Sequence, residues 1–412
     1  MIANKTLEAI VTEPITGRRG SSPALASIDV KELPDSCWDV VILGAGVAGA
    51  SAAILAAKQG LKTLLVDAKS FPREKVCGGC LNLRSQASLD RLGVLQRIAT
   101  AGAVRIESMQ LKILNTQAQW PVPAMLSVRR STLDAILVEK AITCGSQFVD
   151  RTIGSLSAST SDSDTSTRSV RLQKDGDSAV VASKSVLVAS GLTRSSIRQE
   201  DHGDWPANVA SDSRIGVQCL IPESQAVVFA DGCLHMLVGH QGYVGICKTD
   251  GGLLDVAAAI DPSSISTRGG IRQVVQGILA ECGVGEIELP EKDQWLATPS
   301  LTRCSSRVSD HRVFLIGDAI GYVEPFTGEG MSWALASAES VMPMIAEIAA
   351  QGWRDDMGDR WNDWAHRQRI HKHRTCRWIA GQVRWPRGAA WVLRACNWLP
   401  PLRASLIRKT SQ

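Results

Sequence analysis

Residues 39–68 read DVVILGAGVAGASAAILAAKQGLKTLLVDA, and this stretch decides the fold. Val40 to Leu43 form an apolar run that predicts a buried strand. Gly44-x-Gly46-x-x-Gly49 follows at once, and the alanine-rich residues Ala50 to Gln59 predict a helix. A glycine pattern in this strand, turn and helix context is far more specific than the bare pattern. Gly44 makes the tight turn, Gly46 lets the backbone approach a pyrophosphate, and Gly49 lets helix and strand pack closely. Ala48 lies in the first helical turn, whose free N–H groups and partial positive charge suit phosphates. A second strand, Leu61 to Val66, ends in Asp67-Ala68. A carboxylate there can accept both hydroxyls of an adenosine ribose and disfavours a 2′-phosphate. The unit is expected to hold a dinucleotide.

The motif alone does not separate NAD from FAD. A second segment, HRVFLIGDAIGYVEPFTGEGMSWALASAESV (residues 311–341), makes that choice. Val313 to Ile316 predict another apolar strand, which ends in Gly317-Asp318, and Gly321, Gly328 and Gly330 lead into a helix from about Met331. An acid after such a glycine can hold a ribityl hydroxyl, while the next helix N-terminus points donors at a pyrophosphate or a flavin ring. FAD needs this second site; NAD alone does not. Between the two segments lies VLVASGLTRSSIR (186–198), a strand followed by a turn at Ser190-Gly191, where the returning chain would pass close to the cofactor.

Four segments, GxGxxG, FPREKVCGG (71–79), VLVASGxxRSxIR and GDAxGxVxPxxGEGM, occur here in the order found in a large group of FAD-dependent oxidoreductases. The chain resembles that group, which includes aromatic hydroxylases, geranylgeranyl reductases and flavin halogenases, over roughly residues 37–350. FPREKVCGG resembles the geranylgeranyl reductase branch most. The resemblance implies an α/β protein: a Rossmann-like, interleaved FAD-binding domain of the GR2 type, an antiparallel-sheet substrate domain and a C-terminal helical tail. It implies that Gly44, Gly46, Gly49 and Asp67 hold the adenosine diphosphate half of FAD. Arg73, Cys77, Gly78, Arg129, Gly317, Asp318, Gly328 and Gly330 would line the flavin half. FAD is expected to bind without a covalent link, since neither phosphate loop contains His or Cys, and to be reduced by an external donor such as NAD(P)H.

The chain has 412 residues, 44% of them hydrophobic, enough for two domains with substantial cores. The FAD domain is expected from residues 37–105, 127–192 and 303–350, with a helix over 127–141. The substrate domain is expected from 106–126 and 193–302, where RIGVQCLI (214–221), LHMLVGHQGYVGICKT (234–249) and LLDVAAAI (253–260) alternate as strands do. Residues 154–170, rich in Ser, Thr and Asp, read as a hairpin loop, and residues 1–36 as a loosely ordered extension. No run of about 18 apolar residues predicts a membrane span. The N-terminal residues have no apolar h-region, and the eleven cysteines are irregularly spaced. Both suggest a cytoplasmic protein with reduced thiols.

Composition changes near the C-terminus. From Gly352 onward lie seven of the twelve tryptophans, and after Asp363 come eleven Lys/Arg and no acid. Basic residues interleaved with Trp385, Trp391 and Trp398 suit a helix on an anionic membrane surface, with the inner face of the cell membrane as the expected place, through residues 364–412. The competing reading is a set of helices packed on the FAD domain with a solvated basic face. Nucleic acid is not expected as a partner. HRQRIHKHR (366–374) lacks acids or cysteines at ligand spacing, so no metal site is expected.

Cys77-Gly78-Gly79-Cys80 allows three readings: half of a zinc site, a redox pair, or a glycine turn that carries Cys77 against the flavin ring. The third is preferred, because no second ligand pair exists and the disulfide reductases, which carry a second GxGxxG, space their cysteines differently. The geranylgeranyl reductases carry a Tyr-x-Trp-x-Phe-Pro stretch in the substrate channel, and only Tyr243 of Gly242 to Lys248 matches it. Cys77 and Tyr243 are the candidate catalytic residues; His235 and His240 are weaker ones. Three chemistries fit the scaffold. The first is reduction of a carbon–carbon double bond in a hydrophobic, prenyl or polyketide-like substrate. The second is hydroxylation of an aromatic or lipid-like substrate, and the third is halogenation, for which no Trp-x-Trp motif is found. A flavin-binding protein without catalysis is the remaining class.

Overall fold

A computed structural model describes residues 25–34, 36–157, 166–197, 205, 207–226, 228–324 and 328–398. Most of the expected N-terminal extension, the centre of the 154–170 segment and residues 399–412 lie outside them. The same holds for the side chains of 369–380, which include most of the 366–374 basic run.

Four apolar segments, Val40–Leu43, Thr63–Val66, Val186–Val188 and Val313–Leu315, carry fully buried side chains on both faces. Runs of this kind belong in a covered parallel sheet. They stand in a six-stranded sheet in the order Ser309–Asp310, Val313–Leu315, Val186–Val188, Val40–Leu43, Thr63–Val66, Gln147–Val149. All neighbours are parallel except the first pair. Strand order reverses direction beside Val40–Leu43, which creates the crevice where open α/β sheets bind ligands.

The helix Val47–Lys58 is built from small residues and buried on nearly all sides. Its alanines let it lie between the sheet and two further helices, Arg130–Thr143 and Gly330–Gln351. An antiparallel three-stranded sheet, Ile153–Leu156, Arg168–Lys174 and Asp177–Ser183, adds Leu156, Val170 and Leu172 to the same core. Strand structure thus extends into both ends of the segment read as a loop.

The second layer is an eight-stranded sheet that includes Val104–Ile113, Thr116–Ser127, Ile215–Pro222, Cys233–Gly239, Gly242–Thr249 and Leu253–Ile260. It is not purely antiparallel, as the alternation predicted. Cys233–Gly239 runs parallel to Val104–Ile113. The long intervening chain permits that parallel junction, which a tight hairpin would not. The edge strand Cys80–Leu81 pairs with Thr116–Ser127, so the CGGC turn joins the two layers.

Beyond residue 355 the chain forms the helices Asp356–Val383 and Pro386–Trp398. The first seats Met357, Trp361 and Ala365 in the main core, and Trp361 donates Nε1–H to the Leu315 carbonyl at 3.0 Å. The second packs Ala389, Ala390 and Leu393 on the larger sheet beside Trp120 and Tyr243. The packed-helix arrangement therefore holds on their inner sides.

Candidate active site

Gly44 turns the chain at φ +112°, and a Cβ there would stand 2.4 Å from the Ala189 carbonyl oxygen. A Cβ on Gly49 would lie 1.8 Å from the Gly44 oxygen. Both positions exclude a side chain through the protein itself. Gly46 differs: a Cβ there would meet only Arg130 Nη2 at 3.5 Å and Arg73 Nη2 at 3.7 Å. The space in front of Gly46 is therefore a gap between a glycine loop and two guanidinium groups. Gly46 is also the N-cap of Val47–Lys58 and supplies no side-chain acceptor, so the helix N–H groups face the same gap. This cradle offers the N–H donors and the positive charge that a pyrophosphate requires.

The cations are fixed by buried acids. Arg130 grips Asp134 with two bonds, Nε to Oδ1 at 2.9 Å and Nη2 to Oδ2 at 2.7 Å. Arg73 bridges Asp134 Oδ2 and Asp67 Oδ2, each at 3.2 Å. Burial works against the Arg130 charge, yet the neighbouring Asp134 carboxylate more than compensates, and the pKa of the Arg130 guanidinium is raised. Asp67 also accepts from Ala45 N–H at 2.8 Å and Lys69 N–H at 2.9 Å. The acid read as a ribose acceptor thus shapes the glycine loop as well, and three of its roughly four acceptor positions are taken. Ala68 beside it is exposed.

From this cradle a cavity runs between the two layers. Gly46, Ala48, Lys75, Cys77, Gly78, Arg130, Gly191, Asp318, Gly328 and Gly330 line it, together with Met236, Tyr243, Cys247, Ala257, Leu301 and Tyr322. Gly317 is packed against Ala48, behind the lining. Arg129 is not at the cavity. Its N–H and Nε bind Asp250 at 2.6 and 3.0 Å, and the next residue, Arg130, takes the inward place. The reason is helical phase: Arg129 caps Arg130–Thr143, whereas Arg130 sits four residues before Asp134 on one face. His235 bonds Gln110 at 2.9 Å and His240 bonds Glu281 at 3.0 Å, and neither is among the lining residues.

Lys75 approaches Asp318 at 3.9 Å, and burial pushes its ammonium below the ordinary lysine range, with Arg130 and Arg73 acting in the same direction against Asp318. Its side chain is 35% exposed, so the shift is smaller than a dry site would impose. Burial raises the Cys77 thiol pKa. Cys77 and Cys80 are both free thiols, and Cys80 faces Cys247 at 4.0 Å instead of Cys77.

Under the CGGC turn lie two residues that sequence reading passed over. Gln218 receives the Cys77 N–H at 3.2 Å and donates to the Cys77 carbonyl at 2.9 Å and Asp255 Oδ2 at 2.8 Å. Asp255 is 1% exposed and its Oδ1 has no partner among the described residues. Burial, then the nearby Cys247, raises its pKa well above the ordinary 3.8. Both were visible as single polar residues in apolar strands, Gln218 in IGVQCLIP and Asp255 in LLDVAAAI.

Below 3.8 the Asp255 carboxyl is protonated in both folded and unfolded chains. As pH rises through that value only the unfolded chain ionises, so the group's stability contribution falls until the folded carboxyl titrates too. An Asp255→Asn protein is expected to lose less stability from acid to neutral pH than the parent. Urea unfolding across that range checks this, and parallel pH curves for the two proteins would contradict it.

A parallel sheet with a glycine cradle at its crevice, joined through a cavity to a second sheet, defines a flavin-dependent oxidoreductase scaffold. The family model described as FAD binding domain matches residues 38–359, and the chain belongs to that family. Its relatives include conditioned medium factor receptor 1 of Dictyostelium discoideum, 23% identical over 82% of this chain and 68% of that protein. They also include menaquinone reductase of Mycolicibacterium smegmatis, 26% identical over 78% of this chain and 79% of that one. Geranylgeranyl diphosphate reductase of Synechocystis is 25% identical over 76% and 77%. A flavin-dependent brominase structure superposes with a TM-score of 0.72 at 17% identity over 91% of this chain and 94% of that chain, a likeness of fold alone.

Proposed function

We propose that this protein is an FAD-dependent reductase that saturates a carbon–carbon double bond in a hydrophobic, isoprenoid-bearing substrate. The observation that carries the reading is the apolar part of the cavity lining. Met236, Leu301, Ala257 and Leu234 belong to it, and Tyr243 and Tyr322 line the same cavity. Such a lining binds an apolar body and orients it with few polar contacts. Two relatives named for reduction of prenylated molecules, spanning more than three quarters of the chain, support the same substrate class.

The residues present fit FAD: the gap at Gly46 accepts a pyrophosphate between N–H groups and two guanidiniums, and Asp318 and the Gly328–Gly330 turn border the flavin end. Bound there, FAD supplies a hydride. The chain's own part is to orient it. Arg130 and Arg73 hold the phosphates, and Gln218 clamps the Cys77 backbone so that the turn forms a fixed floor. Tyr243 positions the substrate's polar end. An external donor such as NAD(P)H completes the cycle.

The reductase reading is tested by mixing chemically reduced protein, without oxygen, with menaquinone, a polyprenyl diphosphate and a water-soluble phenol. Rapid reoxidation by an isoprenoid-bearing compound, with two hydrogens found added across a carbon–carbon double bond of its isoprenoid chain, and none by the phenol is expected. Reoxidation by none of them without oxygen favours hydroxylation, the second reading, which the same cavity could serve. A further expectation concerns the thiols. Cys77→Ser should shift the flavin spectrum or its reduction rate, whereas Cys80→Ser should retain activity within about threefold. Complete loss in Cys80→Ser would restore a redox pair.

A further inference from the structure

The helix Pro386–Trp398 has two unlike apolar faces. Ala389, Ala390 and Leu393 are buried against the sheet that carries Tyr243 and Met236. On the other side Trp385 is 69% exposed, Trp391 72% and Val392 50%. Among the tryptophans whose side chains are described, which leaves out Trp378 and Trp398, no other is so open. A water-facing indole is ordinary alone; two within seven residues, next to an exposed valine, form a face that lacks a cover.

Charge identifies the cover. Arg387, Trp391 and Arg394 recur at helical spacing, both arginines are exposed, and the Arg394 guanidinium lies 5.8 Å from the Trp391 ring centre. Arg384 turns the other way, toward buried Glu324 at 3.5 Å and Asp212 at 3.4 Å, so it pins the helix to the body of the protein. From residue 364 to 412 the chain carries eleven Lys/Arg and no acid, so a second copy of this face would be repelled. Indoles flanked by guanidiniums match the boundary of an anionic bilayer, with rings at headgroup depth and cations on phosphates.

We propose that this face, centred on Trp385 and Trp391, docks the protein on anionic lipid bilayers. The inference rests on the surface alone. It would deliver a lipid substrate if the reductase reading holds, but its test reads vesicle binding without turnover.

The test uses FAD-loaded full-length protein floated with phosphatidylcholine vesicles, with and without phosphatidylglycerol. Binding only to the anionic vesicles is expected. Arg387→Gln with Arg394→Gln should weaken it roughly 30-fold at low salt, at ~1 kcal/mol per cation. Trp385→Ala with Trp391→Ala should weaken it at least as much and leave flavin absorbance and Tm unchanged, since both rings are exposed. Equal flotation of parent and Trp variant overturns the docking face, even if the Arg variant is impaired. So does binding to a single-stranded oligonucleotide without vesicle binding, or self-association that the Trp variant loses while vesicles are ignored.

Discussion

Replacement of Gly46 by valine is expected to strip FAD from a protein that remains folded. The other two glycines of the motif cannot make this distinction. A Cβ at Gly44 or Gly49 collides with backbone at 2.4 or 1.8 Å, so those variants report on folding. At Gly46 the nearest protein atoms are two guanidinium nitrogens at 3.5 and 3.7 Å, an ordinary contact. Side-chain carbons there fill the gap meant for phosphate oxygens. Loss of two charge-assisted hydrogen bonds, worth about 1.5–3 kcal/mol each, predicts affinity reduced at least ~100-fold. Flavin absorbance after gel filtration and circular dichroism are the measurements. Retained FAD in the folded variant would remove the pyrophosphate from this loop.

Arg130→Met is expected to damage both stability and cofactor binding, and a second substitution should separate the two. Asp134 is fully buried and bonds Arg130 twice. Removal of the guanidinium leaves a buried carboxylate that only Arg73 still meets, at a cost of about 3–5 kcal/mol. Replacing Asp134 by Leu in the same protein removes the stranded charge and should recover most of that stability. FAD affinity should not recover, because the cation facing Gly46 stays absent. Denaturant midpoints and flavin titrations for the parent, single and double variants decide it. A double variant that regains FAD would make Arg130 a structural partner of Asp134 and nothing more.

Much of this could be read from the sequence, for reasons that differ by element. Val40–Leu43, the glycine loop and the small-residue helix were legible because each signal is local: an apolar run, three spaced glycines, and alanines. The same holds for Leu253–Ile260, whose bounds match the segment read as a strand. What was missed depends on tertiary direction. Arg129 and Arg130 are equal in sequence, and only helical phase toward Asp134 turns one inward. The parallel junction between Cys233–Gly239 and Val104–Ile113 joins segments more than a hundred residues apart, so no local pattern encodes it. The redox pairing of Cys77 with Cys80 was already the less favoured reading, but the place of Cys80 beside Cys247, 167 residues away, had no local signal. The tail was ambiguous because its tryptophans serve both purposes: Trp361 is core, while Trp385 and Trp391 face water.

The proposed reaction is tested most directly by one anaerobic turnover. Protein reduced with a deuteride donor is mixed with an isoprenoid-bearing substrate, and the product is weighed by mass spectrometry. The expected product has gained two hydrogens, one of them carried as deuterium on the former double bond, with no oxygen needed. A substrate left unchanged until labelled oxygen gas is admitted, and then carrying one labelled oxygen atom, would contradict it.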